Sequence, residues 1–213
     1  MVKRSTPCIL KRKNPKQARA NALIAAILEA AVQVLRTEGA MRFTTARVAE
    51  RAGVSVGSLY QYFPNKAAIL FRLQSDEWRE TSERLRAILE DGATPPKERL
   101  RRMVHAFVRS ECDEAQVRIA LHDAAPLFRD APEADAARED GSDVIQNFIE
   151  MTISHVVAAR RAIVADLIET TLCRGASGFS EVERSDAEIE AYASAMSDMF
   201  CAYLDSLAND TKI

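Results

Sequence analysis

The chain has 213 residues, 47% of them hydrophobic, enough for one or two domains with a buried core. Seven glycines and seven prolines are below the usual share, which excludes a collagen-like or low-complexity chain and disfavours a turn-rich β-sandwich. The net charge of −2 divides into +9 over residues 1–66 and −11 over residues 67–213, so only the first third suits a polyanion.

The first segment, 1–15, carries Lys3, Arg4, Lys11, Arg12 and Lys13 with two prolines and no acid, and it reads as a disordered basic arm. No apolar block follows Lys3 and Arg4, so no secretory signal is expected. The longest apolar run, Ala22 to Leu28, is far short of the roughly 18 residues a membrane span needs. Four cysteines, at 8, 112, 173 and 201, lack Cys-x-x-Cys spacing and predict no disulfide framework. A soluble, cytoplasmic chain is expected.

Glycine and proline cluster, leaving long stretches at 16–39, 65–91, 97–125, 142–174 and 179–213. Strands are short and need turn residues between them, so these stretches predict helices. Leu23, Ile24, Ile27, Leu28, Ala31, Val34 and Leu35 share one helical face, as do Ile189, Tyr192, Met196, Met199, Phe200, Tyr203 and Leu207. No period-2 alternation competes, and the fold class is all-α. Loops are expected at Gly92–Pro96, Pro126–Pro132 and Gly175–Gly178.

Residues 43–66 carry the strongest pattern. Thr44 is placed to cap a short helix whose inner face is Val48, Ala49 and Ala52. Gly53 can take positive φ and end that helix, Val54 plugs the turn, and Ser55 caps a second short helix with Leu59 and Phe63 inward. Pro64 stops it and Asn65 can cap the next. Two short helices about a tight glycine turn make a helix-turn-helix, whose second helix enters the DNA major groove. Gly53 to Gly57 also spells Gly-x-Ser-x-Gly, the nucleophile elbow of hydrolases. That motif needs a preceding strand and a parallel sheet, neither of which is predicted, so no catalytic residue is assigned. His105, His122 and His155 show no metal-ligand spacing, and no metal or cofactor is expected.

The segment resembles the tetracycline-repressor (TetR) family of bacterial transcription regulators. The resemblance is carried by Phe43-Thr44-Thr45, Val48-Ala49, Ala52-Gly53-Val54-Ser55, Gly57-Ser58-Leu59-Tyr60, Tyr62-Phe63 and Asn65-Lys66. It implies phosphate contacts from Thr45, Tyr60, Tyr62 and Lys66, although either tyrosine could instead be a packing aromatic. Base readout then falls to the start of the second helix, Val56, Gly57 and Ser58, with Tyr60 near the groove wall and Ser55 a DNA-binding position beside them; none of these is a bidentate reader of guanine or adenine. Lys11, Arg12, Lys13, Lys16 and Arg19 could reach a minor groove or remain a solvated tail.

The resemblance further implies a DNA-binding domain over 16–72 and a larger helical domain over 73–213 for dimerisation and effector binding. Trp78, Met103, Phe107, Leu121, Phe128, Phe148 and Met151 could line a cavity for an apolar ligand or be packed core. Arg79, Arg102, Arg109 or Arg118 could pair an anionic ligand or equally be surface charges. Residues 144–172 and 184–207 have apolar faces broader than one core requires, which predicts a two-fold interface. The expected protein is a homodimeric repressor released from a palindromic operator by a small molecule. The alternative is an architectural or ligand-independent DNA-binding protein whose C-terminal domain only dimerises.

Overall fold

The computed structural model describes residues 18–127 and 143–209. Their regular structure is helical throughout, with no strand among the described residues: α1 (Ala18–Arg42), α2 (Thr45–Arg51), α3 (Val56–Tyr60), α4 (Lys66–Leu89), α5 (Pro96–Asp113), α6 (Ala115–Ala124), a single 3-10 turn (Ala125–Leu127), α7 (Asp143–Thr152), α8 (Ala158–Ser180) and α9 (Asp186–Asn209). Packing divides the described residues into two units, 18–78 with 116–127, and 79–115 with 143–209.

In the first unit, the expected stripe of α1 is the one that is buried: Ile24, Ile27, Ala31, Val34 and Leu35, with Leu23 and Leu28 at its margins. Gly39, at φ 72° and ψ 174°, interrupts the helix, and Phe43 then inserts into the core. Val48 and Ala49 of α2 meet Leu59 of α3, with Phe63 behind them, all essentially inaccessible to solvent.

The turn between α2 and α3 is a Schellman motif. The Gly53 N–H donates to the Glu50 carbonyl at 3.1 Å and the Val54 N–H to the Ala49 carbonyl at 2.9 Å. Gly53 sits at φ 67°, in the left-handed region. Ser55 then starts α3 by accepting from the Ser58 N–H at 3.0 Å, and Asn65 starts α4 by accepting from the Ala68 N–H at 2.9 Å.

The division of the chain differs from the expected one at residue 72. The first thirteen residues of α4, 66–78, belong to the first unit, and so does the segment 116–127. Ala120, Leu121 and Ala124 of α6 are buried in the same cluster as Ile69 and Leu70 of α4. Arg118 adds an ion pair to Glu77 at 3.0 Å, and the Gln74 side-chain amide donates to the same carboxylate at 2.9 Å. A boundary drawn by chain order alone misses a segment that returns.

The second unit packs the last turns of α4 with α5, α7, α8 and α9 around Leu89, Leu100, Met103, Phe148, Val164, Ile168 and Phe200. Along its surface, α5 and α9 run side by side with matched polar partners. Lys97 pairs with Asp205 at 2.5 Å, Arg101 with Asp198 at 2.5 Å, His105 with Glu190 at 3.2 Å, and Arg109 with Asp186. Each exposed pair is worth little singly. Spaced every four residues along α5, together they favour one antiparallel register.

Three expectations for this unit are corrected. The stretch 142–174 is two helices, because Thr152-Ile153-Ser154-His155-Val156-Val157 is a run of weak, mostly β-branched helix formers. The Arg161 guanidinium takes up the carbonyls of Ser154 at 3.3 Å and of Val156 at the break. The stretch 97–125 breaks at Glu114, at φ −110° and ψ 10°. Gly175–Gly178 is no loop, since α8 continues to Ser180. A Cβ at Gly175 would lie 2.7 Å from the Met196 methyl and 3.0 Å from the Tyr192 hydroxyl, so this glycine lets α8 and α9 approach closely. Ser185-x-x-Glu188 caps α9 reciprocally, the Glu188 carboxylate accepting from the Ser185 N–H at 2.9 Å. The Ser185 hydroxyl, donating at 2.7 Å, and then its N–H hold the Glu188 carboxyl pKa below its ordinary value.

Gly53→Ala should cost about 1–2 kcal/mol in urea unfolding. No heavy atom lies within 4 Å of the added methyl, so the cost is conformational alone. Gly53→Asn, which tolerates positive φ better, should lose less.

Candidate nucleic-acid interface

The exposed edge of the helix-turn-helix is built from side chains that the caps and the turn leave outside. Val56 and Tyr60 are each 38% exposed, Ser55 and Gly57 are exposed, and Ser58 is half-buried. The inward face of α3 explains the split: Leu59 and Phe63 go to the core, which leaves Val56 and Tyr60 on the other side. A Cβ added at Gly57 would meet only the Ser55 Oγ, at 3.8 Å. Packing therefore does not require glycine there.

Thr45, in the first turn of α2, has its Oγ1 3.0 Å from the Tyr60 hydroxyl. The two hydroxyls that sequence assigned to phosphates thus form one polar point joining the two short helices. Ser55 and Ser58 make a second such pair, their Oγ atoms 2.8 Å apart. Lys66 is exposed at the start of α4. These positions share one unit and its solvent side.

Tyr62 departs from the expectation. It is only 8% exposed and packs in the core of the first unit, one turn after Leu59. The packing-aromatic alternative describes it better than a phosphate donor does. Of the basic arm, Arg19 is exposed on α1, whereas Lys11, Arg12, Lys13 and Lys16 lie outside the described residues.

Sequence reasoning missed a further feature of this edge. The Arg47 guanidinium pairs with Glu38 and also donates from the same nitrogen to the Arg42 carbonyl at 3.1 Å. Glu38 and Arg47 stand on opposite sides of the Gly39 break, so no helical spacing links them. The only sequence signal is an acid in a segment that has three.

The expected cavity residues do not converge. Met103, Phe107 and Phe148 are buried in the core of the second unit, Leu121 in that of the first. Met151 is 61% exposed and Trp78 half-buried, while Phe128 lies outside the described residues. The distribution follows from the helix breaks: Leu121 sits on α6, which packs with α4, and Met151 is on the outer face of α7. Of the cations considered for an anionic ligand, Arg102 and Arg118 already hold carboxylates, Asp91 at 3.2 Å and Glu77 at 3.0 Å. Arg109 pairs with Asp186, and Arg79 stands 4.0 Å from Glu83.

The comparisons with known proteins agree with this geometry. Residues 27–73 match the family model of bacterial regulatory proteins of the tetR family, and residues 95–207 match that of the tetracyclin repressor-like C-terminal domain. The chain belongs to the TetR family. Among curated relatives, the nucleoid occlusion factor SlmA of Vibrio atlanticus (strain LGP32) is 39% identical over 79 residues, 30% of this chain and 40% of that protein. The fatty acid metabolism regulator protein of Bacillus subtilis (strain 168) is 33% identical over 91 residues, 43% of each. The chain thus spans about two fifths of the length of these relatives.

Solved structures agree over more of the chain. The fatty acid degradation regulator FadR from Bacillus halodurans superposes with a TM-score of 0.67 at 16% identity, covering 88% of this chain and 96% of that one. FadR from Bacillus subtilis, in complex with stearoyl-CoA, gives a TM-score of 0.62 at 15% identity over 83% of this chain and 96% of the other. At such identities the likeness is one of fold.

The contrast between the two tyrosines is measurable. Tyr62→Ala should cost about 3–5 kcal/mol in urea unfolding, as for other large core aromatics. Tyr60→Ala, at a position 38% exposed and outside the core, should cost less, about 1 kcal/mol.

Proposed function

We propose that this TetR-family protein is a sequence-specific DNA-binding transcriptional regulator that acts as a homodimer in the cytoplasm and leaves its palindromic operator when a small molecule binds. The observation that carries the reading is the helix-turn-helix itself, turned at Gly53 with Val56 and Gly57 exposed and Ser58 half-buried beside them. Val56 is suited to a thymine methyl and Ser58 to donating or accepting at a base edge. Tyr60, Thr45 and Lys66 supply phosphate contacts that set register without reading sequence. None of Ser55, Val56, Gly57 and Ser58 is a bidentate base reader, so DNA shape and the basic arm supply further specificity.

One five-residue recognition helix covers too little DNA for specific binding, which favours two copies about 34–36 Å apart on successive major grooves. The second unit offers a face for such pairing. Ile163 and Leu167 on α8 are 65% and 49% exposed, and Met199 on α9 is 51% exposed, although each lies on a helix whose other side is core. Ligand release rests on family membership and on the stearoyl-CoA complex of the Bacillus subtilis neighbour. In this chain, Met103, Phe107 and Phe148 are the expected cavity residues that stand together. A ligand there would act as a population shift, favouring a spacing of recognition helices that does not match the operator.

The relatives named as nucleoid occlusion factors keep a second reading in view, in which the protein covers DNA without answering to a ligand. Sequencing the fragments that purified protein selects from genomic DNA separates the two. A single palindromic motif supports the regulator, broad coverage supports the second reading, and no selection at low salt contradicts both. Leu167→Glu should leave the monomer folded by circular dichroism but shift its sedimentation to that of a monomer. A dimer unaffected by Leu167→Glu and Ile163→Glu together would place the interface elsewhere.

A further inference from the structure

We infer that Arg42 is a further phosphate-binding residue and that the Glu38–Arg47 pair positions it; the inference rests on the DNA-binding reading above. Residues 40–42 follow the helix kink at Gly39 and precede Phe43, the side chain that anchors this corner in the core. Ala40 packs against that core, but the side chains of Met41 and Arg42 do not enter it. Met41 is 94% exposed and Arg42 is exposed, with no ion pair to its guanidinium among the described residues. An outward-facing segment of this kind would ordinarily be free to vary. Here it is pinned: one Arg47 nitrogen donates both to the Glu38 carboxylate and, at 3.1 Å, to the Arg42 carbonyl.

The charges explain what the pinning serves. Glu38 is one of three acids in residues 1–66, and its charge is offset by Arg47, so the pair adds no net attraction for a polyanion. What it adds is a fixed backbone direction for Arg42. Three residues on, Thr45 touches the Tyr60 hydroxyl, so the Arg42 and Thr45 Cα atoms are at most about 11 Å apart. An arginine reaching from this corner lies beside the hydroxyl pair already assigned to the DNA backbone and can grip a neighbouring phosphate oxygen.

The test measures binding of the full-length protein to a labelled duplex of random sequence as a function of salt, for the wild type, R42A, E38Q and the double variant. Loss of the Arg42 contact should lower the salt slope by about 0.9 per phosphate, or about 1.8 for a two-fold dimer. The affinity drop between about 50 and 200 mM salt then shrinks about twelve-fold. Removing an acid from the DNA-facing half should tighten binding by long-range charge alone. The positioning role predicts the opposite: E38Q weakens binding and flattens the slope in the wild type, yet has no weakening effect in the R42A background. Restoring a carboxylate with E38D should recover part of the loss.

Tighter binding by E38Q, or equal weakening in both backgrounds, overturns the positioning role. An unchanged slope in R42A, whose exposed side chain leaves the melting temperature unaltered, overturns the contact. Failure of the wild type to bind the duplex at low salt overturns the DNA-binding reading, and this inference with it.

Discussion

The chain must turn between α2 and α3 within four residues, 52–55, and it does so with Gly53 in a conformation that costs other residues about 1–2 kcal/mol. The turn lets Val48 and Ala49 face Leu59 and Phe63, so that two helices of seven and five residues, too short to persist alone, bury one shared seam. Everything on the outer edge inherits its position from that seam. Val56 and Tyr60 face solvent because Leu59 and Phe63 do not, and the Thr45–Tyr60 hydroxyl contact spans helices whose relative placement the turn has already set.

That edge was largely legible in the sequence, because its signals are local. Thr44, Gly53, Ser55, Pro64 and Asn65 each act on neighbours within a turn, and the structure places four of them at the caps or the turn expected, with Pro64 following α3. What stayed hidden depends on tertiary packing. The inward turn of Tyr62 follows from α3 lying on a core that local spacing does not describe. The Glu38–Arg47 pair closes across a break in the helix, and the return of Leu121 to the first unit joins segments about fifty residues apart. In the second unit, helix breaks at Glu114 and 153–157 come without glycine or proline, while Gly175, which does suggest a loop, serves helix–helix contact instead.

The two units also handle charge differently. On the basic unit, Arg47 and Arg118 are neutralised by Glu38 and Glu77, and Arg72 by Asp76 at 2.6 Å. Lys66 and Arg42 remain at the edge, the former at the head of α4 and the latter beside the α2 cap. On the acidic unit, Lys97, Arg101 and Arg109 of α5 pair with carboxylates of α9, and the unit's excess carboxylates would be repelled by DNA. The arrangement concentrates uncompensated positive charge next to the recognition helix, where a phosphate backbone can use it.

Amide hydrogen exchange of the full chain, with and without a duplex it has selected, tests most directly that the seam at Gly53 presents this edge to DNA. Peptides spanning 40–47 and 55–66 should gain protection on binding, while those from 95–113 should change little. Protection confined to the second unit, or none over 55–60, would contradict the account.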